Sequence, residues 1–124
     1  MENKNKEFES WLKVEIPHIM TVVHFADLSK LQGVEHKGFA YTCVFGEPIE
    51  KSGKLEICIF IKDIEKIGEM DYHGTLAHEI VHAIQFICEE LMFDFTEEKE
   101  HTAYIISYLI REFENKVNST LTTK

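Results

Sequence analysis

Two histidines four positions apart on a helix lie one above the other, and His78 and His82 have that spacing, with Glu79 between them. Both imidazoles can then reach a single Zn²⁺ ion. Glu79 is rotated about 100° from His78, so it stands beside such a metal, where a general base takes a proton from a metal-activated water. A solvated polar stripe on an amphipathic helix is the plainer account of two such histidines. The flanks favour the metal: between Thr75 and Cys88 the only charge is Glu79, and nothing in the stretch breaks a helix. Leu76, Ala77, Ile80, Val81, Ala83, Ile84, Ile87 and Leu91 project to one broad side. His78 and His82 project to the other, and Gln85 and Glu89 continue their stripe.

A catalytic zinc takes three protein ligands and keeps a fourth position for water, so a third ligand must come from elsewhere. Asp94, Glu97, Glu98, Glu100 and His101 are the candidates. Residues Thr96 to Asn115 have a helical pattern, with Ile105, Ile106, Leu109, Ile110, Phe113 and Val117 as the apolar face and Thr96 as a candidate N-cap. The positive end of that helix accounts for most of the acidic cluster. Glu100 projects with Ala103, Tyr104, Ser107 and Arg111, beside the apolar face, and the small Ala103 would let the two helices approach closely. Glu100 is therefore the preferred third ligand, with His101 next and Glu97 after it.

His78-Glu79-Ile80-Val81-His82, followed by Glu100 in Glu100-His-Thr-Ala103-Tyr104, resembles the gluzincin branch of the zincin metallopeptidases. Within that branch it is most similar to small, often phage-encoded, zinc metallopeptidases assigned by motif. The resemblance covers Gly74 to Arg111. It implies zinc held by His78, His82 and Glu100, Glu79 as base, and a polypeptide substrate. The chain is too short for the C-terminal helical domain of the large gluzincins, which makes a narrow substrate range the expectation. Zincins place an edge strand along the cleft, and Lys54 to Ile61 is the strand chosen for that part here. The tetrahedral oxyanion needs one more donor. Tyr104, one turn beyond Glu100, is the nearest by projection, with packing between the helices as its equal alternative. Tyr72, His73 and His101 are the others.

The rest of the chain reads as the support for these helices. Asn3 to Val14 is expected as a short amphipathic helix presenting Phe8, Trp11 and Leu12. Ile19 to Phe25 is a β-branched strand candidate, and Asp27 to Leu31 a turn. Gly38 to Phe45 and Lys54 to Ile61 are strands joined by the turn-rich Gly46 to Gly53, hence an antiparallel hairpin. Asp63 to Met70 is a further short helical piece, and the polar run 116–124 is expected to fray. The fold expected is α+β: a minimal zincin-like domain over residues 1–124, with a small antiparallel sheet packed on the HExxH helix and a second, ligand-bearing C-terminal helix.

Composition sets the limits. With 124 residues, 44% hydrophobic and nine Phe, one core is expected. A net charge of −9 with scattered basic residues argues against a nucleic-acid surface. No apolar run has the length to span a membrane, and the N-terminal residues lack the apolar core of a secretion signal. Three widely spaced cysteines read as reduced thiols, so the expected compartment is cytoplasmic. Two other functions fit the same residues. A zincin-like fold that holds zinc with little or no turnover would act as an adaptor or inhibitor towards another protein. A helical scaffold carrying HExxH by accident would hold no metal.

Overall fold

The computed structural model describes residues 10–30, 40–44, 53–92 and 99–122. Four strands form one sheet: β1 (Ser10–Ile16), β2 (Thr21–Asp27), β3 (Ala40–Val44) and β4 (Leu55–Ile61), in the spatial order β1-β2-β4-β3. Two long helices follow, α1 (His73–Leu91) and α2 (Lys99–Thr122). Short 3₁₀ turns occupy Pro17–Ile19, Leu28–Lys30 and Ile64–Glu69. The α+β class is as expected. Among the described residues no helix is long and apolar enough to cross a membrane.

The strand order departs from a purely antiparallel sheet. β1 pairs with β2 and β3 with β4 in antiparallel fashion, but β2 and β4 are parallel, with Val23 opposite Ile57 and Phe25 opposite Ile59. The expected β3–β4 hairpin pairing is present, and it docks with β4 inward. The reason lies in β4 itself, Leu-Glu-Ile-Cys-Ile-Phe-Ile, which is apolar on both faces and almost wholly buried. Such a strand belongs in the middle of a sheet with both sides covered. Lys54 to Ile61 is therefore not an edge; among the described strands the outer ones are β1 and β3.

The helix expected over Asn3–Val14 is replaced by β1 over Ser10–Ile16, and residues 3–9 lie outside the described residues. Phe8, Trp11 and Leu12 have helical spacing, but Val14 and Ile16 are buried while Lys13 and Glu15 are exposed, a period of two. Pairing to β2 decides for the strand, with an irregularity between Ser10 and Leu12. β2 itself runs two residues later than expected. Met20 before it takes a left-handed backbone, φ 52°, on leaving the turn after Pro17.

One face of the sheet carries Val14, Ile16, Val23, Phe25, Leu55, Ile57, Ile59 and Ile61 against Leu76, Ile80, Ala83, Ile84 and Ile87 of α1 and Ile105, Leu109, Phe113 and Val117 of α2. α2 continues past Asn115 to Thr122 with Val117 in this core, so the polar run is helical beyond the point where its composition suggests fraying. The opposite face is smaller and mixed. Ala26, Leu28, Cys58 and Phe60 cluster there, with Cys43 of β3 directly across from Cys58. Neither is in a disulfide, and burial, then the neighbouring Cys43, pushes the Cys58 thiol far up from its ordinary value. On the same face Ser10 Oγ lies 2.7 Å from His24 Nδ1, and His24 Nε2 lies 2.8 Å from Glu56 Oε1. That chain of contacts straps β1, β2 and β4 together across the sheet.

Two polar contacts set α1 in place. Asp27 Oδ1, at the end of β2, accepts hydrogen bonds from the Ser29 amide at 3.0 Å, the Ser29 hydroxyl at 2.6 Å and the Asp63 amide at 3.0 Å. These steer the chain from β4 into the turn that leads to α1. At the start of α1, His73 Nε2 meets Glu114 Oε2 of α2 at 3.0 Å. The buried Tyr72 ring stacks on His73 at 4.3 Å and packs on Phe113 at 5.4 Å.

Candidate metal centre on the α1 helix

The helix expected around the motif is observed and longer, since β4 and β3 give its apolar side a sheet to cover. Leu76, Glu79, Ile80, Ala83, Ile84 and Ile87 are buried, a stripe repeating every three to four residues. Ala77 and Val81, expected on the buried side, are exposed. His78 and His82 lie on the exposed side, one turn apart, with ring centroids separated by 4.7 Å and ring planes at 80°.

Their Nε2 atoms are 3.2 Å apart. Two nitrogens each about 2.0–2.1 Å from one tetrahedral zinc are separated by roughly 3.3 Å, so this pair fits two positions of a zinc shell. A hydrogen bond between the rings serves the same distance when no metal is held. Gln85 Oε1 lies 3.2 Å from His82 Nδ1, on the far side of that ring. A histidine that donates through Nδ1 leaves its Nε2 lone pair for a metal, the usual arrangement around metal-binding imidazoles.

Glu79 occupies a different environment from its two neighbours. It is 6% exposed and faces the sheet, not the solvent. Thr42 of β3 explains why. Alternation along β3 puts Thr42, opposite Ile59, on the helix-facing side of the sheet. The Thr42 hydroxyl donates to Glu79 Oε1 at 2.5 Å and also lies 3.4 Å from the Glu79 carbonyl oxygen. A buried carboxylate is costly unless its oxygens find donors, and Thr42 provides one.

Among the described residues no third ligand joins the histidine pair. Glu100 is exposed on the first turn of α2. It lies two residues before Thr102, and thus about 200° around the helix from the inward stripe of Thr102, Ile105 and Leu109. Among the described residues no group of three or more His, Cys, Asp or Glu side chains comes together to hold a metal. Asp94, Glu97, Glu98 and the His101 side chain lie outside the described residues.

Of the expected oxyanion donors, the His101 side chain lies outside the described residues, and Tyr104, Tyr72 and His73 have other partners. Tyr104 is 58% exposed, and its ring lies parallel to Tyr108 at 6.5 Å. The Tyr108 hydroxyl approaches the Glu15 carbonyl of β1 at 3.5 Å, so this ring pair runs along the β1 side of α2 and not between the helices. Tyr72 and His73 are engaged with Glu114. Burial, then the Glu114 charge and its hydrogen bond, raises the Tyr72 hydroxyl above its ordinary value.

Sequence reasoning found the histidine pair and Glu79 but missed Thr42 and Gln85. Gln85 had a visible signal in its place on the histidine stripe, one turn after His82. Thr42 had none, because which strand borders α1 depends on the sheet order. No protein-family model, curated protein or solved structure matches the chain.

Proposed function

We propose that this protein is a zinc-dependent peptide hydrolase of minimal zincin-like form. The observation that carries the reading is the convergence of the His78 and His82 Nε2 atoms to 3.2 Å on the helix that also carries Glu79. His78 and His82 would hold the zinc, with Glu100 as the third ligand once α2 presents it and His101 and Glu97 as the alternatives. When bound, zinc lowers the pKa of a coordinated water towards about 7 and polarises a carbonyl. Glu79 is the proton carrier, taking a proton from the attacking water and delivering it to the leaving amine. Among the described strands β3 is the outer one beside α1, so an extended peptide could add to it as a further strand, through backbone hydrogen bonds. Tyr104 would serve the oxyanion only if it turned from its stack on Tyr108.

One observation favours a second reading. Glu79 is buried and engaged by Thr42, as suits a structural carboxylate, and a zinc-holding adaptor or inhibitor without turnover needs no mobile base. Elemental analysis followed by a cleavage assay separates the possibilities. The hydrolase reading expects about one zinc per chain, lost in His82→Ala, and cleavage of fluorescently labelled casein or a peptide library that disappears in Glu79→Gln. Zinc without cleavage supports the adaptor. A chain that takes up no zinc carries its HExxH by accident.

A further inference from the structure

We infer that Thr42 is the positioning residue of Glu79: its hydroxyl, presented by the edge strand, fixes one carboxylate oxygen and leaves the other for the reacting proton. The inference rests on the hydrolase reading above and adds a residue outside the motif to its site. Two observations carry it. Thr42 Oγ1 donates to Glu79 Oε1 at 2.5 Å, across 37 residues of sequence. Glu79 is 6% exposed, so water cannot readily substitute for that hydroxyl. The Thr42 bond engages Oε1, so Oε2 is the oxygen the inference assigns to the reacting proton.

The residue types suit the task. A glutamate on a helix has three rotatable side-chain bonds, and the motif alone does not choose among their rotamers. Threonine is β-branched and stiff at χ1, so a strand holds its hydroxyl in nearly one direction. Serine keeps the donor; valine keeps the shape and removes it. The same strand is the one a peptide would extend. Docking of a peptide along β3 and the placement of the base therefore share one element, and a substrate that orders β3 also orders Glu79.

The test uses the full chain loaded with zinc, and acetohydroxamate as the probe. This small bidentate metal ligand carries a hydroxyl proton that needs a nearby acceptor, so its affinity reports where the Glu79 carboxylate stands. Zinc content is measured first. Thr42→Val should keep the zinc content of the parent chain but bind acetohydroxamate about tenfold to a hundredfold more weakly, approaching Glu79→Gln. Thr42→Ser should bind it within about threefold of the parent, since a hydroxyl donor remains. Retained zinc with lost probe affinity marks positioning, whereas general damage to the fold would lower both. If Thr42→Val does not fold, Thr42→Ala takes its place against the serine variant. Probe affinity unchanged in the valine or alanine variant, or not restored by serine, overturns the inference. A parent chain that takes up no zinc removes the hydrolase reading and with it any base for Thr42 to place.

Discussion

Gln85 lies one turn beyond His82 on α1, and its side-chain oxygen stands 3.2 Å from His82 Nδ1. A ring that donates to that oxygen through Nδ1 keeps the Nε2 lone pair on the side of His78. Without metal, an Nε2 proton on His78 completes a ring-to-ring hydrogen bond; a metal takes the place of that proton. On the proposed zinc reading, Gln85 favours the tautomer that leaves Nε2 for the metal. Replacing it with leucine should weaken zinc about tenfold to a hundredfold while leaving the fold intact, as read by competition with a chromophoric chelator. Equal affinity in the two proteins would show that His82 needs no such partner.

Phe113 is the aromatic centre of the core. Fully buried, it meets Trp11 at 5.2 Å, Phe25 at 5.1 Å and Tyr72 at 5.4 Å. It thereby joins α2 to β1, to β2 and to the start of α1. Phe113→Ala should cost about 3–5 kcal/mol, through lost burial and the cavity left behind. Small domains hold only about 5–15 kcal/mol in total, so the urea midpoint should fall steeply, whether or not zinc is present. A loss under about 1 kcal/mol would mean that the three remaining rings repack around the gap.

Tyr72 makes stability fall at alkaline pH. Its hydroxyl is held above the ordinary value of 10.0, by burial first and then by Glu114. The folded chain therefore keeps this proton more tightly than the unfolded chain does. The resulting stability is complete below about pH 10 and is lost as pH rises through the folded-state value. Cys58, also raised, acts in the same direction from about its ordinary value of 9.0 upward. In an absorbance titration at 295 nm, the Tyr72 step should fall above the ordinary tyrosine value of 10.0, and Tyr72→Phe should remove it. The variant should also lose less stability above pH 10 than the parent chain does. An alkaline titration that Tyr72→Phe leaves unchanged above pH 10 would contradict the placement of Tyr72 beside Glu114.

The parts of this protein written in the sequence are those set by near neighbours along the chain. A spacing of four puts His78 and His82 on one face of any helix, and the uncharged apolar flanks of the motif identify that helix. The β-branched, apolar run Leu55 to Ile61 marks a strand, although its central place in the sheet was not expected. Where two periods compete within one short stretch, local reading fails. Phe8, Trp11 and Leu12 have a helical spacing and Leu12, Val14 and Ile16 a strand spacing, and only pairing with β2 resolves them.

Strand order was beyond reach for a related reason. Backbone hydrogen bonds do not distinguish one apolar strand from another, so the insertion of β4 between β2 and β3 is settled by how the whole sheet buries itself against α1 and α2. That choice makes β3 an outer strand among those described and turns Thr42 towards Glu79. The sequence by itself determined a helix able to present two histidines and a carboxylate. The tertiary structure decided that the carboxylate is buried and bound to a threonine 37 residues earlier in the chain. It also placed Tyr72, His73 and Tyr104 on other partners, because contacts between distant segments follow packing and not spacing.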